Sequence, residues 1–328
     1  MTATCPWCGA PRTDGPKCPK CSAIYAKAEA LRAGGEARPG FRQPDRPGTR
    51  GATVQRDPIP IPAQAGTATW RAATDDLRIE WRLRLFAIPM ALILAALINR
   101  SAIGHTLQRT FLSMMVHEAG HAVTSWFCGF AAFPALWVTY SSNERGAAAV
   151  LMLGAASGYI LFRGLSARNL PVVVTAGMLL AAQLAGTLVI NARTAQALVV
   201  FGGDGGAMVL GAVLMATFFC SRDTQVYKGG LRWGFLIIGS AGFVDAFGTW
   251  WAARTNVDAI PFGANEGVGL SDPSKLMDIY GWSPHTMVQR YITLGIVCLV
   301  ALAAVWGVGV RQARREYLAA TTEEGSAQ

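Results

Sequence analysis

Charged residues are scarce in this chain. Only 15% of its 328 residues are Asp, Glu, Lys or Arg, against about a quarter in average soluble domains. Hydrophobic residues make up 52%, which is too apolar for an average soluble protein. The apolar residues are clustered in runs that match the hydrocarbon core of a bilayer. The sequence therefore predicts an all-α polytopic membrane protein with six to eight transmembrane or re-entrant helices.

The apolar segments do not give an even number of crossings. They lie near residues 85–98, 107–127, 146–162, 171–190, 205–219, 234–251 and 292–310. Seven full crossings would put the two basic termini on opposite sides, although Lys and Arg favour the cytoplasm. We therefore expect one partial segment and choose 197–219, because Gly202-Gly203 and Gly205-Gly206 interrupt it. No cleavable signal peptide is visible, and we expect a cell (inner) membrane protein with a cytoplasmic N-terminus.

Four regions follow from the composition. Residues 1–33 are predicted to form a small zinc-ribbon module with a short helix. Residues 34–69, rich in Pro, Gly, Arg and Gln, are predicted to be a disordered linker. Residues 70–316 form the transmembrane domain, and 317–328 are predicted to be a disordered tail.

The N-terminal module contains two Cys-x-x-Cys pairs, Cys5 with Cys8 and Cys18 with Cys21. Four thiolates from two tight turns make a closed tetrahedral zinc site, which can hold together a segment too small for its own core. Disulfides are the alternative, and a reducing cytosol argues against them. We expect one structural zinc ion here, with a role in folding or in contact with a protein partner.

The formal net charge is +9, which raises the question of nucleic-acid binding. The Lys and Arg residues gather in the N-terminal region and in short loops, as in the cytoplasmic loops of membrane proteins. We therefore expect no nucleic-acid partner. The expected partners are the lipid bilayer and a membrane protein or peptide.

Histidine is even scarcer, with four residues in the chain, yet two of them stand four apart in His117-Glu118-Ala119-Gly120-His121. On a helix the two imidazoles project from one face and can share a metal ion. Glu118 lies beside them, where a carboxylate can take a proton from a metal-bound water. The motif predicts zinc-dependent hydrolysis inside a membrane.

A catalytic zinc ion needs a third protein ligand. The extended motif of soluble enzymes would place a histidine six residues after His121, where this chain has Phe127. Asp204 is the only acidic residue between Gly146 and Ser221, and its flanking glycines are expected to break the helix there. Asp204 is the first choice, and the alternatives are Glu144, Asp245 and Asp272.

The motif helix, together with Asp204-Gly205-Gly206 in a later apolar segment, resembles the site-2 protease family of intramembrane zinc metallopeptidases. The resemblance covers about residues 105–220 and, more loosely, 232–310. It implies that His117, His121 and Asp204 bind the catalytic zinc ion and that Glu118 is the general base.

The chain departs from that family in one motif. The family has an Asn and a Pro ahead of the Asp-Gly pair, whereas here Asn191 stands thirteen residues before Asp204 with no intervening Pro. A substrate-positioning role is therefore not carried over to Asn191. Residues 270–282, which include Asp272, resemble a C-terminal segment of a divergent branch of the family.

The function implied is that of a metalloendopeptidase that hydrolyses peptide bonds of membrane-associated proteins. One alternative is a catalytically inactive membrane adaptor or substrate-binding pseudoprotease that uses the zinc ribbon for partner contact. A transporter or channel is a third option, which leaves Glu118 between two histidines without explanation.

Overall fold

The computed structural model describes residues 4–5, 10–21, 24–25, 64–265 and 269–326. The chain divides into two compact units, Met1–Ile61 and Pro62–Gln328. Cys8, the helix expected within 1–33 after residue 25, and the linker up to residue 63 lie outside the described residues.

The second unit is mainly helical, with two short antiparallel strand pairs. Its elements are α1 (Gln64–Asn99), α2 (Ala102–Gln108), a π-helical turn (Arg109–Ser113), α3 (Met114–Phe127), β1 (Phe130–Pro134), β2 (Thr139–Arg145), α4 (Ala147–Ser166), α5 (Leu170–Leu184) with a π-helical end (Ala185–Val189), α6 (Ala192–Ala216) with a 3-10 end (Thr217–Phe219), α7 (Gln225–Lys228), α8 (Leu231–Ala253), a 3-10 turn (Val257–Ala259), β3 (Ala264–Asn265), β4 (Gly269–Leu270), α9 (Asp272–Asp278) and α10 (Pro284–Ser326).

Six helices in the described part of the chain are long and apolar enough to cross a membrane. They are Thr74–Asn99, Ala147–Ser166, Leu170–Val189, Ala192–Phe219, Leu231–Ala253 and Pro284–Glu323. The predicted helical architecture is confirmed, and so is the prediction of six to eight helices long and apolar enough to cross a membrane. The motif helix α3 is not among the six.

Three predicted boundaries differ from the structure. The segment predicted as a disordered linker up to residue 69 is helical from Gln64, where α1 begins, because no Pro follows Pro62 in this stretch. The segment 197–219 is not a partial, interrupted helix, because α6 runs without a break through all four glycines. The last helix continues to Ser326, so the region predicted as a disordered tail is helical over 317–326. The sequence Tyr317-Leu-Ala-Ala-Thr-Thr-Glu-Glu contains good helix formers and neither Gly nor Pro, so nothing in it ends the helix.

Side-chain caps fix where several helices begin. The Ser101 hydroxyl accepts from the Gly104 N–H at 3.0 Å before α2, and Asn169 accepts from Val172 N–H before α5. Asn191 Oδ1 accepts from the Thr194 N–H at 2.8 Å and starts α6. Each cap satisfies a backbone donor that a helix leaves without an intrahelical partner. Asn191 is therefore explained as a helix cap.

Glycines let α3 and α6 pack unusually closely. A Cβ atom on Gly120 would overlap the carbonyl oxygen of Gly202, and one on Gly206 would overlap Gly120 Cα. Gly202 and Gly206 are four residues apart and share the face of α6 that contacts α3. Small residues at this spacing are typical of close helix pairs in membranes. The glycine-rich sequence is thus a packing surface and not a helix break.

A buried ionic cluster joins α1 to α8. Glu80 Oε1 lies 2.8 Å from Arg84 Nε and 2.8 Å from Arg232 Nη1, and Glu80 Oε2 accepts from the Tyr227 hydroxyl at 3.0 Å. All three charged side chains are less than 10% exposed. Buried charges are stable only when they are paired and hydrogen-bonded, and here each Arg contacts the same carboxylate. The cluster fixes the first spanning helix against the core.

The hydrophobic core lies where α3, α6, α8 and α10 meet. Its largest fully buried side chains include Trp250, Tyr291, Phe243, Met208 and Leu276. Tyr291 stacks between two rings, at centroid distances of 4.0 Å from Trp250 and 4.2 Å from Phe201. Leu276 of the short helix α9 is 0% exposed and packs in this core. The position of α9 relative to α6 is therefore set by apolar burial.

The β1–β2 hairpin packs against the motif helix. Its register pairs Phe133 with Tyr140 and Pro134 with Thr139. Trp137 Nε1 donates to the Thr110 carbonyl at 3.1 Å, which ties the hairpin tip to the π-helical turn. At the other end Arg145 donates to three carbonyls at the end of α5, the closest being Ile190 O at 2.6 Å. These contacts hold the hairpin beside α3.

Candidate metal centre

The two motif histidines are oriented by acceptors on α6. His117 Nδ1 lies 2.9 Å from Asp204 Oδ1, and His121 Nδ1 lies 2.7 Å from the Val199 carbonyl oxygen. Carboxylate and carbonyl oxygens only accept, so each Nδ1 carries the proton. In the neutral form of each imidazole, Nε2 then carries a free lone pair, which is the state that a metal ion binds.

Asp272, in the first turn of α9, completes a group of three ligand atoms. Its Oδ2 lies 3.2 Å from His117 Nε2 and 2.9 Å from His121 Nε2, and the two Nε2 atoms are 3.1 Å apart. Together these residues form a group that could hold a metal ion. A metal ion among these atoms, or a proton on one of the imidazoles, relieves the repulsion of three lone pairs at such separations.

The donor set fits zinc. Zinc bound to nitrogen and oxygen at about 2.0–2.2 Å in a tetrahedral arrangement separates its ligand atoms by roughly 3.3–3.5 Å. The three separations of 2.9–3.2 Å are close to that value. Two histidines and one carboxylate are also the ligands of many catalytic zinc sites, in which a fourth position stays open for water or substrate.

Asp204, the first choice from sequence, is not in this group. Its Oδ1 faces His117 Nδ1 on the ring edge away from Asp272, and its Oδ2 accepts from Trp250 Nε1 at 2.8 Å. Both oxygens are thus engaged by N–H donors. Asp204 supports the orientation and basicity of His117, which is the usual role of a carboxylate behind a metal-binding histidine. Because α6 is continuous there, the backbone does not turn to bring this carboxylate among the Nε2 atoms.

The remaining acidic alternatives also lie elsewhere. Glu144 is exposed on β2. Asp245 is buried in α8, where its Oδ2 accepts from Arg109 Nη1 at 2.9 Å. Of the four acids considered from the sequence, the described structure brings only Asp272 to both histidines.

Glu118 points to a hydroxyl from the hairpin. Its Oε2 lies 2.7 Å from Thr139 Oγ1, which is also 2.8 Å from the Glu118 carbonyl oxygen. Glu118 is 6% exposed, and it borders the same cavity as both histidines. A carboxylate held in this way, next to a metal-ligand group, is placed to accept a proton from water.

The site opens into a cavity of about 590 Å³, a size typical of sites that bind small ligands or short peptide segments. The cavity is bordered by the π-helical turn, α3, the hairpin, α6 and the segment leading into α9. The ionisable lining residues are His117, His121, Glu118, Asp204, Asp272, Arg109 and Lys275.

Lys275 completes the surroundings of Asp272. Its Nζ lies 3.3 Å from Asp272 Oδ1, the oxygen that does not face the histidines. Burial raises the pKa of Asp272, and hydrogen bonds and positive charge from protonated His117 and His121 lower it more strongly, so in the metal-free protein this pKa lies well below its usual value. The carboxylate is therefore ionised at neutral pH and available as a ligand.

Gly203 leaves room for the ligand atoms, which yields a direct prediction. A Cβ atom at this position would lie 2.6 Å from His117 Nε2 and 2.6 Å from His121 Nε2. In the full chain with Cys5, Cys8, Cys18 and Cys21 replaced by Ser, we expect Gly203→Ala to displace both imidazoles and to lower zinc affinity by about tenfold or more, measured by zinc titration and metal analysis of purified protein. Gly177→Ala in α5 is the matched control, because no atom lies within 4 Å of its Cβ position. Equal zinc contents in the two variants would contradict the assignment.

The N-terminal unit holds a second group of ligands. The sulfur atoms of Cys5, Cys18 and Cys21 lie within 4.8 Å of one another, and Cys5 and Cys21 are 3.9 Å apart. Zinc–sulfur bonds of about 2.3 Å separate tetrahedral ligands by roughly 3.8 Å. The three thiols thus fit a metal ion, and the fourth predicted ligand, Cys8, is outside the described residues.

Sequence reasoning missed several groups that contact the site residues. Thr139, Trp250 and the Val199 carbonyl are far from the motif in sequence, and neither their type nor their spacing signals a role. Only a residue's position in the fold reveals such contacts. Arg109, eight residues before His117, could have been noted as a cation within an apolar segment.

No protein-family model, curated protein or solved structure matches the chain.

Proposed function

We propose that this protein is a zinc-dependent membrane metalloendopeptidase of the site-2 protease type. The observation that carries the proposal is the convergence of His117 Nε2, His121 Nε2 and Asp272 Oδ2 beside the buried Glu118 carboxylate, in a cavity of about 590 Å³. Asp272, and not Asp204, is the proposed third ligand. The proposed setting is the cell membrane, with the N-terminal unit in the cytoplasm.

The proposed chemistry divides between a metal ion and Glu118. Zinc, when bound, supplies a Lewis acid that polarises a peptide carbonyl and acidifies water. Glu118 takes the proton of the attacking water and later gives it to the leaving amine. Thr139 keeps the Glu118 carboxylate facing the cavity through its 2.7 Å contact.

The hairpin offers a place for an extended substrate. A membrane helix hides its backbone in hydrogen bonds, so a substrate must unwind locally before its peptide bond is attacked. Thr139 and Ser141 of β2 line the cavity, and β1 and β2 form a sheet of only two strands. We propose that the unwound segment pairs with an edge of this hairpin.

The arrangement favours an enzyme over the alternatives. A membrane adaptor has no need of a buried Glu118 beside a three-atom ligand group, and a transporter gives no reason for Glu118 to stand between two histidines. Burial of such groups in a membrane protein is costly unless they act together. For the cysteine group we propose a structural zinc ion and a role in folding or partner contact.

Metal removal tests the proposal. Purified protein in detergent should cleave members of a panel of quenched fluorescent peptides, lose this activity on treatment with a zinc chelator, and regain it when zinc is added back. The control is the full chain with Cys5, Cys8, Cys18 and Cys21 replaced by Ser, which separates the catalytic ion from the structural one. Cleavage that persists after metal analysis shows no zinc would refute the proposal.

A further inference from the structure

Arg109 lies in the π-helical turn that leads into the motif helix, and it lines the same cavity. It opens the π-helical turn Arg109–Ser113, eight residues before His117. Such turns within helices occur frequently at functional sites. Its side chain is 36% exposed and forms part of the cavity wall. The proposed mechanism does not use this cation.

Asp245 on α8 holds Arg109 in place. Arg109 Nη1 donates to Asp245 Oδ2 at 2.9 Å, and the Asp245 side chain is 3% exposed. His105 Nε2 approaches Oδ1 to 3.2 Å, although without hydrogen-bond geometry. A buried acid in a membrane helix requires a partner, and Arg109 is the partner that hydrogen-bonds it. The pair fixes a guanidinium at the wall of the cavity.

Most of the hydrogen-bonding capacity of Arg109 remains available. A guanidinium has five N–H donors arranged as a fork, and among the described residues only Nη1 of Arg109 makes a hydrogen bond. Its other nitrogens are not buried, so they are open to a ligand. Lys275, the other cation of the wall, instead contacts Asp272 Oδ1 at 3.3 Å. Arg109 is thus the lining cation whose donors are not directed at a proposed metal ligand.

We infer that Arg109, positioned by Asp245, binds a carboxylate of the peptide in the cavity. The inference rests on the proposed function for the presence of a peptide. Arg and carboxylate groups form paired, charge-assisted hydrogen bonds, which are stronger than bonds between neutral groups. The carboxylate comes from an Asp or Glu side chain near the cleaved bond or from the C-terminus of the peptide. Arg109 therefore determines which segments are accepted.

Binding to the full chain carrying Glu118→Gln tests this inference without turnover. The probes are fluorescein-labelled heptapeptides with Asp, Asn or Lys at the centre, each with a free or an amidated C-terminus. We expect the amidated Asp peptide to bind at least about tenfold more tightly than its Asn and Lys counterparts, measured by fluorescence anisotropy. If only peptides with free C-termini are favoured, the carboxylate is the terminal one.

Variants of Arg109 provide the decisive comparison. Arg109→Gln alone would leave Asp245 buried without its partner, so the neutral pair Arg109→Gln with Asp245→Asn is used, and it should abolish the preference for a carboxylate. Arg109→Lys keeps one charge without the fork and should retain a weaker preference, which provides a second measurement if the neutral pair folds poorly. Arg222→Gln, at an exposed position, is the matched control and should change nothing. Zinc content, measured for every variant, verifies the fold.

The outcomes separate this inference from the proposed function. A carboxylate preference that survives in the neutral pair, equal binding of all peptides, or no binding of any peptide would overturn the inference. Digestion of the same peptides by protein with Glu118 intact is measured in parallel. Carboxylate-selective binding without cleavage would support Arg109 and reject the peptidase. Cleavage without a carboxylate preference would support the peptidase and reject carboxylate binding by Arg109.

Discussion

Glu118→Gln should abolish the proposed peptide hydrolysis while the proposed catalytic zinc ion stays bound. Glutamine has the size of glutamate, and its amide oxygen can still accept the 2.7 Å contact from Thr139, so the local structure is kept. The amide cannot take a proton from water. We expect the cleavage rate to fall by roughly 10²–10⁴-fold, measured with peptides in detergent, and the zinc content from metal analysis to stay unchanged.

The matched control for this variant is Glu144→Gln, the same chemical change at an exposed position on β2, which should leave the cleavage rate unchanged. A second measurement extends the test to cells. Membrane proteomes of cells that carry Glu118→Gln should accumulate uncut single-span proteins relative to cells with the original chain. Full activity of the purified variant would show that Glu118 is not the general base.

Asp272→Asn should abolish zinc binding by the membrane domain, whereas Asp204→Asn should only weaken it. Asp272 Oδ2 lies within 3.2 Å of both Nε2 atoms, so its replacement removes one of three ligands. Asp204 contacts the opposite nitrogen of His117. Changes to such supporting partners typically lower metal affinity by about 10–100-fold. Zinc titration and metal analysis of both variants give the two affinities.

Counting this zinc ion requires a chain without the cysteine site. Both substitutions are therefore made in the full chain with Cys5, Cys8, Cys18 and Cys21 replaced by Ser. Asp258→Asn, which changes an exposed aspartate in a 3-10 turn, should leave the affinity unchanged. If Asp204→Asn loses zinc and Asp272→Asn retains it, Asp204 is the third ligand, as expected from the sequence, and Asp272 is not.

The glycines around Asp204 show why the third ligand expected from the sequence differs from the acid that the structure brings to both histidines. In sequence, Gly202-Gly203 and Gly205-Gly206 suggest a flexible break that would let Asp204 turn inward. In the structure the same residues are helical, because Gly202 and Gly206 pack against Gly120 and Gly203 leaves space beside the imidazoles. Glycine permits both outcomes, and only the neighbouring helix decides between them.

The position of Asp272 beside the two histidines depends on contacts that no local sequence pattern predicts. Residue 272 is 151 positions after His121, in a polar stretch with weak periodicity. Ser271 caps α9, Ser274 Oγ accepts from the Gly263 N–H at 2.9 Å, and Leu276 is buried in the core. Together these contacts fold the segment over α6. From the sequence, Asp272 could therefore be named only as one of the alternative third ligands.

The sequence alone determined the membrane class, the two histidines and Glu118, since these depend on local properties. Hydrophobic length predicts a spanning helix, and a spacing of four places two imidazoles on one helical face. Tertiary structure alone decided which acid joins the histidines, what holds Glu118, and that Asp245 anchors Arg109 at the cavity. Each of these depends on distances between segments far apart in the chain, and those distances are set by the packing of α3, α6, α8 and α9.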